Sequence, residues 1–179
     1  IQLADVRIRL DELLYQGRQM QAHLAECAFR EKSGLAVDAL TGELKSDGKT
    51  IHLPQLLLRT PHSEAKLTAE IPWNSLEERP KEEMRVAWKS RLGKADLLLA
   101  MGKLPRDFVR AYPDQPLTLD VEATGNVAAM RLSKGEMRLP GAFQMSLSGE
   151  MEAVTDSVKR TGELRLEAET DSLNFLLTM

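Results

Sequence analysis

The sequence predicts a mainly β protein: a long antiparallel meander sheet curled into a groove or folded over as a sandwich (β-taco-like), with two short helices inserted near 95–111. Three observations carry that expectation. Apolar and polar residues alternate with period two along most of the chain, which sets apolar groups on one face of each strand and charged groups on the other. Glycine-containing turn signals separate the alternating runs at hairpin spacing. Helical periodicity has strength only once.

From the N-terminal end, Ala4, Val6, Ile8 and Leu10 alternate with Asp5, Arg7 and Arg9. The pattern recurs in Met20, Ala22 and Leu24, then in Leu35 and Val37 after the polar stretch Glu31–Gly34. It returns in Ala65, Leu67, Ala69 and Ile71, and in Met84, Val86 and Trp88. The second half repeats it in Leu117, Leu119, Val121 and Ala123, in Phe143, Met145 and Leu147, and in Leu164, Leu166 and Ala168. Reversals are expected at Gln16-Gly17, Ser33-Gly34, Asp47-Gly48, Gly125-Asn126 and Gly149, where glycine accepts the backbone angles a tight hairpin demands. Parallel crossovers would need a helix between strands, so consecutive hairpins fit better.

The helical pattern lies in GKADLLLAMGKLPRDFVRAYPDQP. Residues 95–101 make about two turns at 3.6 residues per turn, and Pro105 suits the first position of a second helix through Phe108 and Val109. The charged run EERPKEE, residues 77–83, reads as a solvated loop, and a further helical turn is expected around Val154–Lys159. The chain therefore reads as one β-rich domain over 1–179: a first sheet region 1–91, a helical insert 92–115 and a second sheet region 116–179. It begins at Ile1 and stops at Met179 inside the apolar run NFLLTM, and the expectation is an internal segment of a larger protein.

Composition narrows the function. The 179 residues carry a net charge of −3 with basic residues scattered, which argues against nucleic acid, since that partner demands a concentrated basic patch. An aromatic share of 4% disfavours a stacking platform. A single cysteine, Cys27, rules out an internal disulfide or a multi-cysteine metal site and reads as a small, largely buried hydrophobe.

Candidate chemistry dissolves on inspection. GELKSDGKT, residues 42–50, has the residue types of a phosphate loop, but five residues separate Gly42 from Gly48 where that loop has four. The residues after Thr50 read as a strand with an internal Pro54, not the helix whose N-terminus would hold phosphate. His52 and His62, with Glu64 nearby, are expected to face each other across a hairpin, where solvent-facing histidines are the plainer reading than a metal site. Thr60-Pro61-His62-Ser63-Glu64 reads as a turn, since a catalytic triad is defined by spatial roles. No enzyme, cofactor or metal site is expected.

The segments LDELLYQG (10–17), EKSGLAVDALTGEL (31–44), IHLPQLLLRTPHSEAKLTAEI (51–71), DLLLAMGKLP (96–105), PLTLDVEATGNVAAMRLSKGEMRLPGAF (116–143) and LNFLLTM (173–179) together resemble the AsmA-like family. The branch they look most like is the TamB-type (translocation and assembly module) envelope proteins of Bacteroidetes-like bacteria. The resemblance implies a periplasmic protein, anchored in the inner membrane by an N-terminal helix absent from this chain. It implies a long antiparallel sheet folded into a groove with an apolar interior. The implied function is non-enzymatic lipid transport or scaffolding of outer-membrane biogenesis, with phospholipid or another acyl lipid and outer-membrane assembly proteins as partners.

The residues expected to line such a groove are Val6, Ile8, Leu10, Leu67, Ala69, Ile71, Val86, Leu119 and Val121. The same residues would equally form the core of a self-contained β-sandwich that binds protein or glycan through its loops. Exposed strand edges would also favour an edge-strand dimer of this chain.

Overall fold

Alternation resolves into one sheet. The computed structural model describes residues 3–32, 34–156 and 158–173. Its strands are β1 Leu3–Gln16, β2 Gln19–Glu31, β3 Ala36–Val37, β4 Ala39–Asp47, β5 Thr50–Arg59, β6 Glu64–Pro72 and β7 Met84–Leu92. They continue as β8 Leu117–Gly125, β9 Ala129–Leu139, β10 Phe143–Glu152 and β11 Thr161–Thr170. A 3-10 turn, Trp73–Leu76, lies between β6 and β7, and helices α1 Lys94–Met101 and α2 Arg106–Ala111 lie between β7 and β8. The hydrogen-bonded order is β1-β2-β4-β5-β6-β7-β8-β9-β10-β11, with β3 pairing only β2. Each strand of that path is antiparallel to its neighbours, and the sheet is open, with β1 and β11 as its edges. Leu92 pairs directly with Leu117, so the helical insert interrupts the sequence but not the sheet.

Most expected reversals form. In the β4–β5 hairpin, Asp47 Oδ1 accepts hydrogen bonds from Lys49 N and Thr50 N, both at 2.8 Å, and Gly48 takes φ +92°. Those bonds, Thr50 first, hold the Asp47 carboxyl below its usual pKa. This is a hairpin turn, not a phosphate cradle. At the polar reversal after β2, Gly34 N donates to Glu31 O at 2.9 Å; Ser33 lies outside the described residues, as do residues 174–179 of the LNFLLTM segment.

Three expectations are corrected. Gly149 does not reverse the chain: it sits inside β10, opposite Leu132 and Leu164. A Cβ there would meet Glu163 O at 2.1 Å, so the glycine serves close strand approach. His52 and His62 do not face each other: His52, near the start of β5, pairs with Lys45 and Glu70, while His62 lies in the turn beyond the other end. The segment 153–160 is not helical among its described residues, because Asp156 Oδ1 binds the Val158 and Lys159 amides at 3.0 and 3.2 Å and so shapes a side-chain turn instead.

Bulges explain the lapses in alternation. Between Leu53↔Ala69 and Leu56↔Leu67, β5 advances three residues while β6 advances two. Pro54 falls in that bulge, where a missing N–H costs no ladder bond. In β9, Ser133 is the extra residue between the pairs Glu122↔Lys134 and Ala123↔Leu132. The apolar face therefore switches from Met130 and Leu132 to Gly135, Met137 and Leu139.

A segment lies over the apolar face at each rim of the sheet. At one rim Trp73 N donates to Lys49 O at 2.8 Å, and Ser75 O accepts from Val127 N at 3.1 Å. Three residues of 3-10 helix rise about 6 Å, so the two hairpin tips stand about 12 Å apart. In a flat sheet, four strand spacings would separate them by about 19 Å. At the other rim, Asp96 of α1 accepts from Ser63 Oγ at 2.6 Å and from Thr60 Oγ1, while Gly93 N donates to Ser63 Oγ at 3.0 Å. The insert then packs Phe108 and Tyr112 against Leu117, Leu139 and Ala142. That cluster contains the most deeply buried apolar side chains, with Phe108 and Leu139 each 1% exposed.

Candidate functional site: an uncovered apolar face

Cross-strand partners share a face, so the register assembles the apolar side chains into rows that run across the sheet. One row is Leu40, Leu58, Ala65, Ser90, Leu119, Met137, Met145 and Ala168. The next is Leu10, Leu24, Gly42, Leu56, Leu67, Trp88, Val121 and Gly135. A third runs Leu53, Ala69, Val86, Ala123, Leu132, Gly149 and Leu164. Nearer the rim, Met20, Ser46, Ile51 and Ile71 align, and beyond them Met84, Gly125, Met130 and Met151. From β1 to β11 the path has nine strand spacings, a floor about 43 Å long.

Of the nine residues expected to line a groove, Leu67, Ala69, Ile71, Val86, Leu119 and Val121 lie half-buried in these rows. Val6, Ile8 and Leu10 belong to edge strand β1 and are 49%, 68% and 46% exposed. The structure also recruits residues outside that set. Six of the eight methionines (Met20, Met84, Met130, Met137, Met145 and Met151) stand on the apolar rows, and their even spacing within the runs was the available signal. Methionine suits a surface that must fit irregular apolar shapes.

The few polar atoms on this face are satisfied within it. Trp88 Nε1 donates to Ser90 Oγ at 3.1 Å, and Trp73 Nε1 donates to Ser46 Oγ, also at 3.1 Å. Ser46 Oγ in turn donates to Arg18 O at 2.6 Å, with the Arg18 guanidinium 5.5 Å from the Trp73 ring centre. Both tryptophans of the chain thus neutralise a hydroxyl that would otherwise break the apolar rows. Cys27 is half-buried beside Ile8 on the same face.

Among the described residues no second sheet covers these rows, since all the strands belong to one open sheet; the helical insert packs over one end of them, against Leu117, Met137 and Leu139. The cost is visible in the total surface, 12129 Å² for 20.0 kDa. A compact monomer of that mass exposes about 8,700 Å², so about 3,400 Å² is in excess.

The opposite face is polar and internally paired. Lys134 Nζ reaches Asp120 Oδ2 at 2.7 Å and Lys89 Nζ reaches it at 3.3 Å. The Lys134 bond, ahead of the lysines' through-space attraction, lowers the Asp120 pKa, and Asp120 raises that of Lys134. Arg59–Glu64 and Arg131–Glu150 close at 2.8 Å each. A hollow of about 750 Å³ lies on this side, lined by Glu64, Lys66, Lys89, Asp120, Glu136 and Arg138 among others. It is a dip in a twisted sheet, with Lys89 and Asp120 paired within its charged lining. Among the described residues no group of three or more His, Cys, Asp or Glu is placed to hold a metal ion, and no helix is long and apolar enough to cross a membrane.

Against this geometry, the comparisons with known proteins stand empty: no family model, no curated protein and no solved structure matches the chain.

Proposed function

We propose that this chain is a non-enzymatic groove segment of an AsmA-like, TamB-type cell-envelope protein, and that its apolar face carries the acyl chains of phospholipid or a similar lipid. On this reading the protein works in the periplasm, the full-length molecule is held in the inner membrane by a helix outside this chain, and outer-membrane assembly proteins are its partners. One observation supports the reading: three apolar rows cross a single open sheet, and among the described residues the helical insert and the Trp73 turn lie over its rims while no second sheet covers the rows between them. Such a floor needs no catalytic group. Each CH₂ it removes from water is worth about 0.8 kcal/mol, so ten carbons supply about 8 kcal/mol before entropy costs. The rival, a self-contained β-sandwich that binds protein or glycan through loops, would fold the two halves of the sheet against each other; the single open sheet of the described residues favours the groove.

Native mass spectrometry of the protein purified from bacteria tests the proposal. The expected result is retained phospholipid, together with saturable uptake of a fluorescent fatty acid by delipidated protein. Lipid-free protein that also ignores the fatty acid would overturn it.

A further inference from the structure

Pairing on the polar face is uneven, and the unpaired cations gather in the hollow of about 750 Å³ that spans β6 to β10. Its three carboxylates are taken. Glu64 holds Arg59 at 2.8 Å, Asp120 holds Lys134 at 2.7 Å and Lys89 at 3.3 Å, and Glu136 reaches Lys134 at 3.5 Å. Lys66, Arg91 and Arg138 line the same hollow and, among the described residues, form no ion pair. With Arg59 and Lys134 counted beside Lys66, Lys89, Arg91 and Arg138, six cations meet three carboxylates, in a chain whose net charge is −3. The next acid along the row, Glu169 of β11, stands beyond Gln144 and outside the lining.

Register turns two of these cations into a clasp. Arg91 on β7, Thr118 on β8 and Arg138 on β9 are successive cross-strand partners. The two arginines therefore flank one hydroxyl across two strand spacings, about 10 Å. Both are exposed. On their outer sides, Glu64 gives its carboxylate to Arg59, and Gln144 carries no charge. Thr118 Oγ1 makes only a long bond, to Arg138 O at 3.3 Å, so it can turn to a ligand oxygen. Guanidinium forks hold phosphate through charge-assisted bonds of about 2.8 Å. Two forks and a hydroxyl converging on one point suit a tetrahedral dianion better than a carboxylate. The adjoining row, Lys66, Lys89 and Asp120, presents donors and acceptors to whatever carries that dianion, which favours a hydroxylated body.

We propose that this hollow binds the phosphate monoester of a polyhydroxylated molecule, a sugar phosphate in class, with Arg91 and Arg138 holding the phosphate over Thr118. The site lies on the opposite side of the sheet from the apolar rows and does not depend on what those rows carry.

Isothermal titration calorimetry of the whole chain with glucose 6-phosphate tests the proposal. Binding should saturate at one site, glucose itself should give no signal, and inorganic phosphate should compete but more weakly. R91Q and R138Q should each weaken binding about tenfold or more, since each removes a charge-assisted contact. R91K should recover only part of the loss, because an ammonium lacks the fork. R85Q removes the same charge about 20 Å away along β7, outside the hollow, and should bind as the wild type does. Phosphatidic acid vesicles should leave bound glucose 6-phosphate in place. Far-UV circular dichroism checks that these exposed substitutions leave the sheet intact. The proposal is overturned if glucose 6-phosphate shows no saturable binding or binds no tighter than inorganic phosphate. Unchanged affinity in R91Q and R138Q, an equal loss in R85Q, or displacement by the vesicles would overturn it as well.

Discussion

Replacing Val86 and Val121 together by threonine separates an open floor from a sealed core. The change is close to isosteric and keeps a β-branched side chain, so strand propensity is preserved; only a methyl becomes a hydroxyl. Val121 pairs with Trp88 and Gly135, and Val86 pairs with Ala69 and Ala123, all on the apolar face. In a sealed interior each unpartnered hydroxyl would cost about 1–3 kcal/mol, hence about 2–6 kcal/mol for the pair. On the half-exposed face the hydroxyls reach water, and the expected loss is below about 1 kcal/mol. Ligand binding should behave oppositely. Two lost methyl contacts with an acyl chain, at about 0.8 kcal/mol each, weaken binding about tenfold. Urea unfolding followed by tryptophan fluorescence measures the first quantity, with Trp88 as a reporter beside Val121, and fluorescent fatty-acid titration measures the second. A stability loss above about 2 kcal/mol, or unchanged fatty-acid affinity in a stable variant, would refute the reasoning.

Three further outcomes are expected. Phe108→Ala should cost about 3–5 kcal/mol, because Phe108 is 1% exposed at the centre of the cluster joining α2 to Leu117, Leu139 and Ala142; chemical denaturation measures it. Gly149→Ala should loosen β11, since the added Cβ meets Glu163 O at 2.1 Å and the residue sits at φ +148°; hydrogen exchange across 161–170 should accelerate while β4–β7 stay protected. Asp120→Asn should cost about 0.5–1 kcal/mol near neutral pH and flatten the acid limb of the stability profile. The sign follows from the lowered folded pKa of Asp120: its contribution is present above the unfolded value of about 3.9 and disappears as pH falls through the folded one. Lys134, whose folded pKa is raised, contributes below about 10.4 and ceases to as pH climbs through its folded value.

The one-sheet meander and its helical insert were legible in the residues because period two and period 3.6 leave different marks. The insert's limits, α1 Lys94–Met101 and α2 Arg106–Ala111, fall where Gly93, Gly102 and Pro105 punctuate the pattern. Strand β9 escaped the alternation because the Ser133 bulge changes which parity faces inward halfway along it. The His52–His62 pairing failed because the reversal itself falls at residues 60–63: His62 lies in the turn closed by Arg59 and Glu64, while His52, at the far end of β5, meets Lys45 and Glu70. The apolar face was legible strand by strand. Its rows were not, since they depend on cross-strand register and on how the rims are tied together. The Trp73–Ser46 and Trp88–Ser90 bonds likewise join a residue type to a neighbour that no spacing rule would single out.

In the hydrogen-bonded path each strand, the short β3 aside, binds the strand next to it in the chain, and this has a consequence for how the protein forms. For a β protein of 179 residues the contact order is low, so any hairpin can serve as a nucleus and growth can zip outward from it in either direction without waiting for distant segments to meet. The energetics approach those of a one-dimensional array, a sum of nearest-neighbour terms. Cooperativity then falls with distance along the sheet. The ends open first, and the centre, tied at both rims by Trp73 and by the helical insert, opens last.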